Sequence, residues 1–258
     1  MKAADGLRPA PRPGSRATLD HVTRPGLPAD RGWFITIEGP EGAGKTTQAA
    51  RLESYLRDAG LRVLRTREPG GTKLGERIRT LLLDHGAGTA IPAPAISALT
   101  DALLFSAARR QLVDEVIRPS LAAGITVICT RYADSTLAYQ GHGAGVPLAD
   151  LRALELIATD GLRPDLTVLL DLPAEVGLAR KAPDDQTRFE LGFDLEFHRR
   201  VRAGFLDLAS AEPDRFSVVD ATGSPVSVWA EIRVAVDNLR GAAATSGEPE
   251  RPVERISR

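Results

Sequence analysis

Gly39-Pro40-Glu41-Gly42-Ala43-Gly44-Lys45-Thr46-Thr47 is the stretch that decides the fold. It has the spacing of a phosphate-binding loop: a glycine, four residues, then Gly44-Lys45-Thr46. The run before it, Trp33-Phe34-Ile35-Thr36-Ile37, is apolar and rich in β-branched residues, as a strand buried on both faces requires. The run after it, Gln48 to Leu56, carries apolar residues at helical spacing. Glycines let successive backbone N–H groups close on phosphate oxygens with no Cβ in the way. The helix that follows points its positive end at the same place. Residues Gly39 through Thr47 are therefore expected to bind the phosphates of ATP. Lys45 would set a charge on the β- and γ-phosphates, and the Thr46 hydroxyl would ligate Mg²⁺. A glycine-rich turn that merely precedes a helix is the plainer alternative, and the flanking strand and helix weigh against it.

Working outward, the composition sets limits. The chain has 258 residues, 43% apolar and 26% charged, within the range of soluble globular proteins. Thirty-three basic side chains against 34 acidic ones leave a formal charge of −1, so no global field favours nucleic acid or an acidic membrane. Anion binding must come from local arginines. The single cysteine, Cys129, excludes an intrachain disulfide and a cysteine-based zinc site, and its place after Ile125-Thr126-Val127-Ile128 reads as an inert thiol at a strand end. No apolar run approaches the roughly 18 residues of a membrane span. His21, His85, His142 and His198 share no ligand spacing.

Residues 1–30 hold Pro9, Pro11, Pro13, Pro25 and Pro28 and almost no large apolar side chains, so a disordered arm is expected. The arm lacks the apolar centre of a signal peptide, and a cytoplasmic protein is expected. A second disordered stretch is expected over 241–258, leaving 31–240 as the folded domain. Within it, strands are expected at Leu61–Thr66, Ile125–Cys129, Asp165–Leu172 and Phe216–Asp220. Helices are expected at Leu74–Leu83, across Ala95–Ala123 with a break near Pro119, at Pro147–Ala158, Pro173–Lys181, Phe193–Ala211 and Val226–Leu239. Gly86 to Pro94 reads as a loop. Strands alternating with helices predict a parallel sheet covered on both faces. Right-handed crossovers then gather the loops at the strands' carboxyl ends along one edge.

Three more segments lie on or near that edge. Thr130-Arg131-Tyr132-Ala133-Asp134-Ser135-Thr136-Leu137-Ala138-Tyr139-Gln140-Gly141 combines a cation, hydroxyls, an amide and two aromatics, a set able to recognise a planar heterocycle and a phosphate. Read alone it is equally a polar loop. Phe105 and Arg109 fall one helical turn apart, which suits either a stacked base or a core phenylalanine beside a surface arginine. Arg180 to Arg188 joins two helices with no apolar anchor, either a lid that carries arginines over phosphates or a solvated charged loop.

Taken together, Phe-Ile-Thr-Ile-Glu-Gly-Pro-Glu-Gly-Ala-Gly-Lys-Thr-Thr, Thr-Arg-Glu-Pro-Gly-Gly-Thr, Leu-Leu-Phe-Ser-Ala-Ala-Arg and Ser-Thr-Leu-Ala-Tyr-Gln-Gly resemble bacterial thymidylate kinase from Trp33 to Leu239. The second and fourth motifs are more specific than the phosphate loop, which many ATPases share. The resemblance implies a P-loop fold with a five-stranded parallel sheet flanked by helices, a homodimer, and transfer of the ATP γ-phosphate to dTMP, giving dTDP. Lys45 and Thr46 would serve ATP and Mg²⁺, with Glu68 the carboxylate near the metal and Glu41 near the acceptor's sugar and phosphates. Arg67, Arg79 and Arg131 would hold the acceptor phosphate. Phe105 would stack on thymine, Arg109 would bond its carbonyl, and Thr136, Tyr139 and Gln140 would line the base and deoxyribose pocket. Gly42 stands where one subgroup has an arginine, so the catalytic arginine should come from the lid at about 181–190, with Arg180 and Arg188 the candidates. Two positions depart from the family pattern. Thr130 replaces the aspartate usual before the Arg-Tyr pair, and Thr187 the aspartate usual before the lid arginine. Thr130 leaves open a catalytically impaired nucleotide-binding homologue. A kinase for another pyrimidine monophosphate is the other alternative.

Overall fold

The computed structural model describes residues 31–83, 96–182 and 187–245. The expected arm at 1–30, the loop at 86–94 and the tail beyond 245 lie outside the described residues. The opening strand, β1, is Phe34–Glu38, and every one of its residues is buried. Around it, β2 (Val63–Arg67), β3 (Thr126–Thr130), β4 (Leu166–Asp171) and β5 (Phe216–Asp220) form one sheet in the order β2-β3-β1-β4-β5. Each neighbouring pair is parallel, with Ile35 facing Ile128 on one side and Leu166 on the other. The expected five-stranded parallel sheet is thus present, with each strand displaced by no more than two residues from its reading in sequence.

The sheet is buried from both sides because its strands alternate which face each apolar residue serves. On one face Ile35, Ile37, Val168 and Leu170 pack against helix α1 (Lys45–Asp58) through Ala49, Leu52 and Leu56. The C-terminal helix, Pro225–Thr245, closes the same face with Val228, Ile232 and Val236. It runs five residues into the expected tail. On the opposite face Phe34, Val127 and Cys129 meet Leu112, Val113, Ile117 and Leu121, while Leu169 and Phe216 meet Val201, Phe205 and Leu208 of the helix Leu195–Ala211.

Helix α2 spans Lys73–Leu83 and α3 spans Ala98–Leu112. The break expected near Pro119 is instead a widened π turn at Val113–Ile117, after which α4 (Arg118–Ala122) carries Pro119 in its first turn. Proline has no N–H to donate and its ring crowds the carbonyl one turn back, so the chain loosens before the proline rather than at it. Two stretches with no helix assigned from sequence are helical. Ala133–Thr136 forms α5 and continues as a π turn through Leu137–Gly143, and Arg188–Gly192 forms a short helix in the lid. In chain order the remaining helices are α6 (Leu148–Thr159), α7 (Ala174–Ala179), α8 (Arg188–Gly192), α9 (Leu195–Ala211) and α10 (Pro225–Thr245). Pro147 and Pro173 sit one position earlier than expected, at the N-caps of α6 and α7.

Candidate active site

The loop that opens the sequence reading turns at the carboxyl end of β1. Gly44 caps α1 with a left-handed backbone, φ 86°, which costs a residue without a Cβ nothing. Gly42 is also left-handed and lies hard against α7: a Cβ there would stand 2.0 Å from the carbonyl oxygen of Gly177, and one on Gly177 would stand 2.2 Å from that of Glu41. Loop and helix therefore touch backbone to backbone. Lys45 folds back over the loop and donates to the carbonyls of Gly39 and Pro40 at 2.9 and 2.6 Å. Burial, then Arg131, lower its pKa to about 7, with Glu41 and Glu38 partly opposing the fall.

A cavity of about 480 Å³ opens beside the loop. Glu41, Gly42, Ala43, Gly44, Lys45, Thr46 and Thr47 line it, while Gly39 and Pro40 do not. Arg67, Glu68, Arg79 and Phe105 line the side formed by β2, α2 and α3, and Arg109, Arg131, Thr136, Tyr139 and Gln140 line the floor. Four segments distant in sequence thus meet at one sheet edge.

The floor is a network of paired charges. Arg109, 1% exposed, donates to Glu68 at 2.8 Å, to the Tyr132 carbonyl at 3.1 Å and to Thr136 Oγ1 at 2.9 Å. Burial raises the Glu68 carboxyl to about pKa 7, with Arg109 partly opposing the rise. Its Oε1 is buried with no hydrogen-bond partner. Arg131 donates to Glu41 at 2.6 Å, to Tyr139 Oη at 3.1 Å and to Ser135 Oγ at 3.2 Å, and Tyr139 Oη donates to the same Glu41 oxygen at 2.8 Å. Burial works against ionisation of Glu41, but Arg131, Lys45 and Lys181 outweigh it and hold its carboxyl well below the usual range. Arg131 carries a left-handed backbone, φ 66°, uncommon outside glycine, and its peptide N–H reaches the Ile37 carbonyl across the sheet. The approach of this arginine to the loop is therefore fixed by main chain as well as side chain.

The other sequence candidates are held more loosely or elsewhere. Arg67 is exposed and pairs with Glu76 at 3.0 Å, and Arg79 donates to the Pro69 carbonyl at 3.0 Å. Thr130 lines the cavity at the end of β3, and its carbonyl accepts the Glu68 N–H at 2.9 Å. Neither lid arginine borders the cavity. Arg180 donates to the carbonyls of Ala221 and Thr222, at 2.8 and 2.9 Å, and Arg188 is buried against Asp101 at 2.6 Å and against the Leu82 carbonyl.

Several lining residues escaped the sequence reading. Phe189 of α8 packs 6.3 Å from Phe105 and 5.5 Å from Tyr139 between ring centres, adding to the aromatic lining of the pocket. Lys181 and Ser135 also line it. Glu38, fully buried at the end of β1, accepts the Tyr132 N–H at 2.7 Å and the Ser135 hydroxyl at 2.6 Å. Burial, then the Asp134 carboxylate, push its pKa up to about 7. A carboxylate closing an otherwise apolar strand is the sequence signal that marks it, since a buried charge requires partners.

A parallel sheet with a glycine loop between β1 and α1, and a second pocket of arginines and aromatics beside it, defines a P-loop phosphotransferase of the nucleoside monophosphate kinase type. Comparison narrows the class. The family model for thymidylate kinase matches residues 37–232. A thymidylate kinase of Deinococcus radiodurans is 57% identical over 206 residues, covering 80% of this chain and 97% of that protein. That of Thermomicrobium roseum is 54% identical over 78% of the chain and 94% of its own length. A crystal structure of thymidylate kinase from Ehrlichia chaffeensis superposes with a TM-score of 0.63 at 34% identity, covering 80% of this chain and 99% of that one. The chain belongs to the thymidylate kinase family.

Proposed function

We infer that the protein transfers the γ-phosphate of ATP to dTMP, giving dTDP and ADP, a step in the supply of dTTP. The observation that carries this reading is the joining, in one cavity, of a triphosphate loop and an aromatic pocket with buried arginines. Phosphoryl transfer asks the protein for position and charge rather than covalent chemistry. The attacking oxygen of dTMP is already anionic, so no strong base is required. Arg131, fixed by Glu41 and Tyr139, and Arg67 and Arg79 from the side of β2 and α2 hold the acceptor phosphate. Phe105 stacks on thymine, Arg109 bonds its carbonyl, and Thr136, Tyr139 and Gln140 shape the pocket around base and sugar. Lys45 leaves the Gly39 and Pro40 carbonyls for the β- and γ-phosphates.

The unpartnered Oε1 of Glu68, a residue that lines the same cavity as Thr46, fits a cation ligand, so Thr46 and Glu68 are the residues that would hold Mg²⁺. The ion, when bound, would neutralise charge on the donor phosphates. In this reading Arg180 and Arg188 brace the lid from behind. A homodimer is supported by exposed Leu99 and Leu103 on α3 beside exposed Leu156 and Ile157 on α6, two helices that pack together. These substrates go with a cytoplasmic location.

A coupled assay of ADP release, with and without dTMP, tests the activity. ADP formed only with dTMP supports it. Tight binding of both nucleotides without turnover would favour the impaired homologue that Thr130 raises. Running dUMP, UMP and CMP beside dTMP measures the preference, for which a methyl group alone supplies about 1–3 kcal/mol. Sedimentation at micromolar concentration reads the oligomeric state.

A further inference from the structure

Glu38 does not border the cavity, yet it holds a residue that does. It closes β1, is wholly buried, and stands one position before Gly39, where the phosphate loop begins. Its Oε1 accepts the Tyr132 N–H at 2.7 Å, and its Oε2 accepts the Ser135 hydroxyl at 2.6 Å. Each contact leads to Arg131 by a different route. The Tyr132 N–H belongs to the peptide group that follows Arg131 in the chain. The Ser135 hydroxyl oxygen in turn accepts from Arg131 Nη1 at 3.2 Å. One carboxyl therefore holds both the main chain and the guanidinium of the same arginine.

The main chain needs such a hold. Arg131 has φ 66°, a region that residues with a Cβ rarely occupy, and such a conformation persists only where its surroundings over-determine it. Three contacts do so. The Arg131 N–H donates to the Ile37 carbonyl at 3.0 Å, its carbonyl accepts from the Cys129 thiol at 3.1 Å, and the next N–H is the one taken by Glu38. A buried N–H without an acceptor is costly, so loss of Glu38 Oε1 would release the turn. The Gly39 carbonyl adds a long contact to Arg131 Nη1 at 3.4 Å. Ile37, Glu38 and Gly39 are consecutive, so the strand end that opens the donor loop also moulds the acceptor-side arginine.

We propose that Glu38 is a positioning residue for phosphoryl transfer: through Arg131 it sets the acceptor phosphate at its reacting distance from the γ-phosphate on the loop. Glu38 touches neither nucleotide. The inference rests on the reading of the cavity as a dTMP kinase site. Two hydrogen bonds carry the role, not charge. A glutamine here, with its amide oxygen toward Tyr132 and its NH₂ toward Ser135, keeps both. A methionine fills a similar volume and makes neither.

Steady-state kinetics on the full chain test it. The wild-type protein is assayed first. Failure to release ADP in the presence of dTMP overturns the reading of the site and this role with it. With an active wild type, Glu38→Met is expected to lower kcat/KM for dTMP on the order of 100-fold, the scale of a misplacement of about 1 Å at the reacting centre. Part of the loss should fall in kcat, the KM for ATP should stay within about twofold, and Glu38→Gln should recover most of the rate. In an Arg131→Met background, adding Glu38→Met should cost less than about threefold more, because the residue it acts through is already gone. Thermal midpoints above the assay temperature show that each variant is folded. If Glu38→Met does not fold, Ser135→Ala cuts the side-chain route alone and should lower kcat/KM for dTMP by about tenfold. Any of four results with an active wild type overturns the proposal alone: full additivity with Arg131→Met, a Glu38→Gln enzyme as poor as Glu38→Met, a rise in the KM for ATP that matches the rise for dTMP, or losses below about twofold in Glu38→Met or Ser135→Ala.

Discussion

The floor of the cavity and the phosphate loop hold positive charge in opposite ways. On the floor, Arg109 is already matched to buried Glu68 at 2.8 Å, and Arg131 to half-buried Glu41 at 2.6 Å. At the loop, Lys45 rests on the carbonyls of Gly39 and Pro40. Removing one partner of a buried pair strands the other in a medium that cannot solvate it, whereas carbonyls released by a departing lysine lose little. The floor is thus part of the fold, and the loop is charged for the ligand. The difference teaches which basic residues can be altered without unfolding the protein.

Arg109→Ala should break the comparison hardest. Leaving Glu68 without its partner is expected to lower unfolding stability by about 3–5 kcal/mol, read as a shift of the urea midpoint. A shift below about 1 kcal/mol would mean that Glu68 simply takes up a proton and that the floor is no more structural than the loop. Lys45→Ala should do the reverse. We expect a loss of about 3–4 kcal/mol in transition-state stabilisation from kcat/KM, with the urea midpoint nearly unmoved.

Glu38 sharpens the same contrast through pH. It faces Asp134 from α5, the cations Arg131 and Lys45, and the donors Tyr132 and Ser135. Its carboxyl is raised from 4.5 to about 7, so the folded protein keeps a proton that the unfolded chain has released. Stability from this group is complete below about pH 4.5 and is lost as the pH rises through about 7. Glu38→Gln removes that loss. Urea midpoints of wild type and variant should diverge by roughly 3 kcal/mol between pH 5 and pH 8, the variant being favoured at the higher value. Parallel curves would show that Arg131 keeps Glu38 ionised throughout. The smallest expected effect is at the pocket wall. Phe105→Ala should raise the KM for dTMP by about 5- to 150-fold, from 1–3 kcal/mol of lost stacking, with the KM for ATP unchanged.

Local patterns made most of the fold legible. β1, the glycine loop and α1 announce themselves by composition and spacing, and each strand of the parallel sheet is a short apolar run. What stayed hidden depends on partners far along the chain. The α5 and π-turn segment holds Gly141 and Gly143 and aromatic residues, a poor helix in isolation, and it is secured by packing of Leu137 and Tyr139 on Val201 and Phe205 of α9. The site was legible as a set of residue types but not as a set of directions. Phe105, Arg109, Arg131 and Tyr139 come together as their motifs suggest. The adjacent lid residues Arg180 and Lys181 differ only in which way each side chain turns, and that is decided by carbonyls of Ala221 and Thr222 some forty residues away.

The touching backbones of Gly42 and Gly177 bear on how such a site can change over generations. A side chain at position 42 would be driven into α7, and one at position 177 into the loop. An arginine could enter the loop at position 42 only if α7 withdrew in the same event. A replacement at either glycine alone therefore meets the other segment's main chain, so neither position is free to change singly while loop and helix stay where they are.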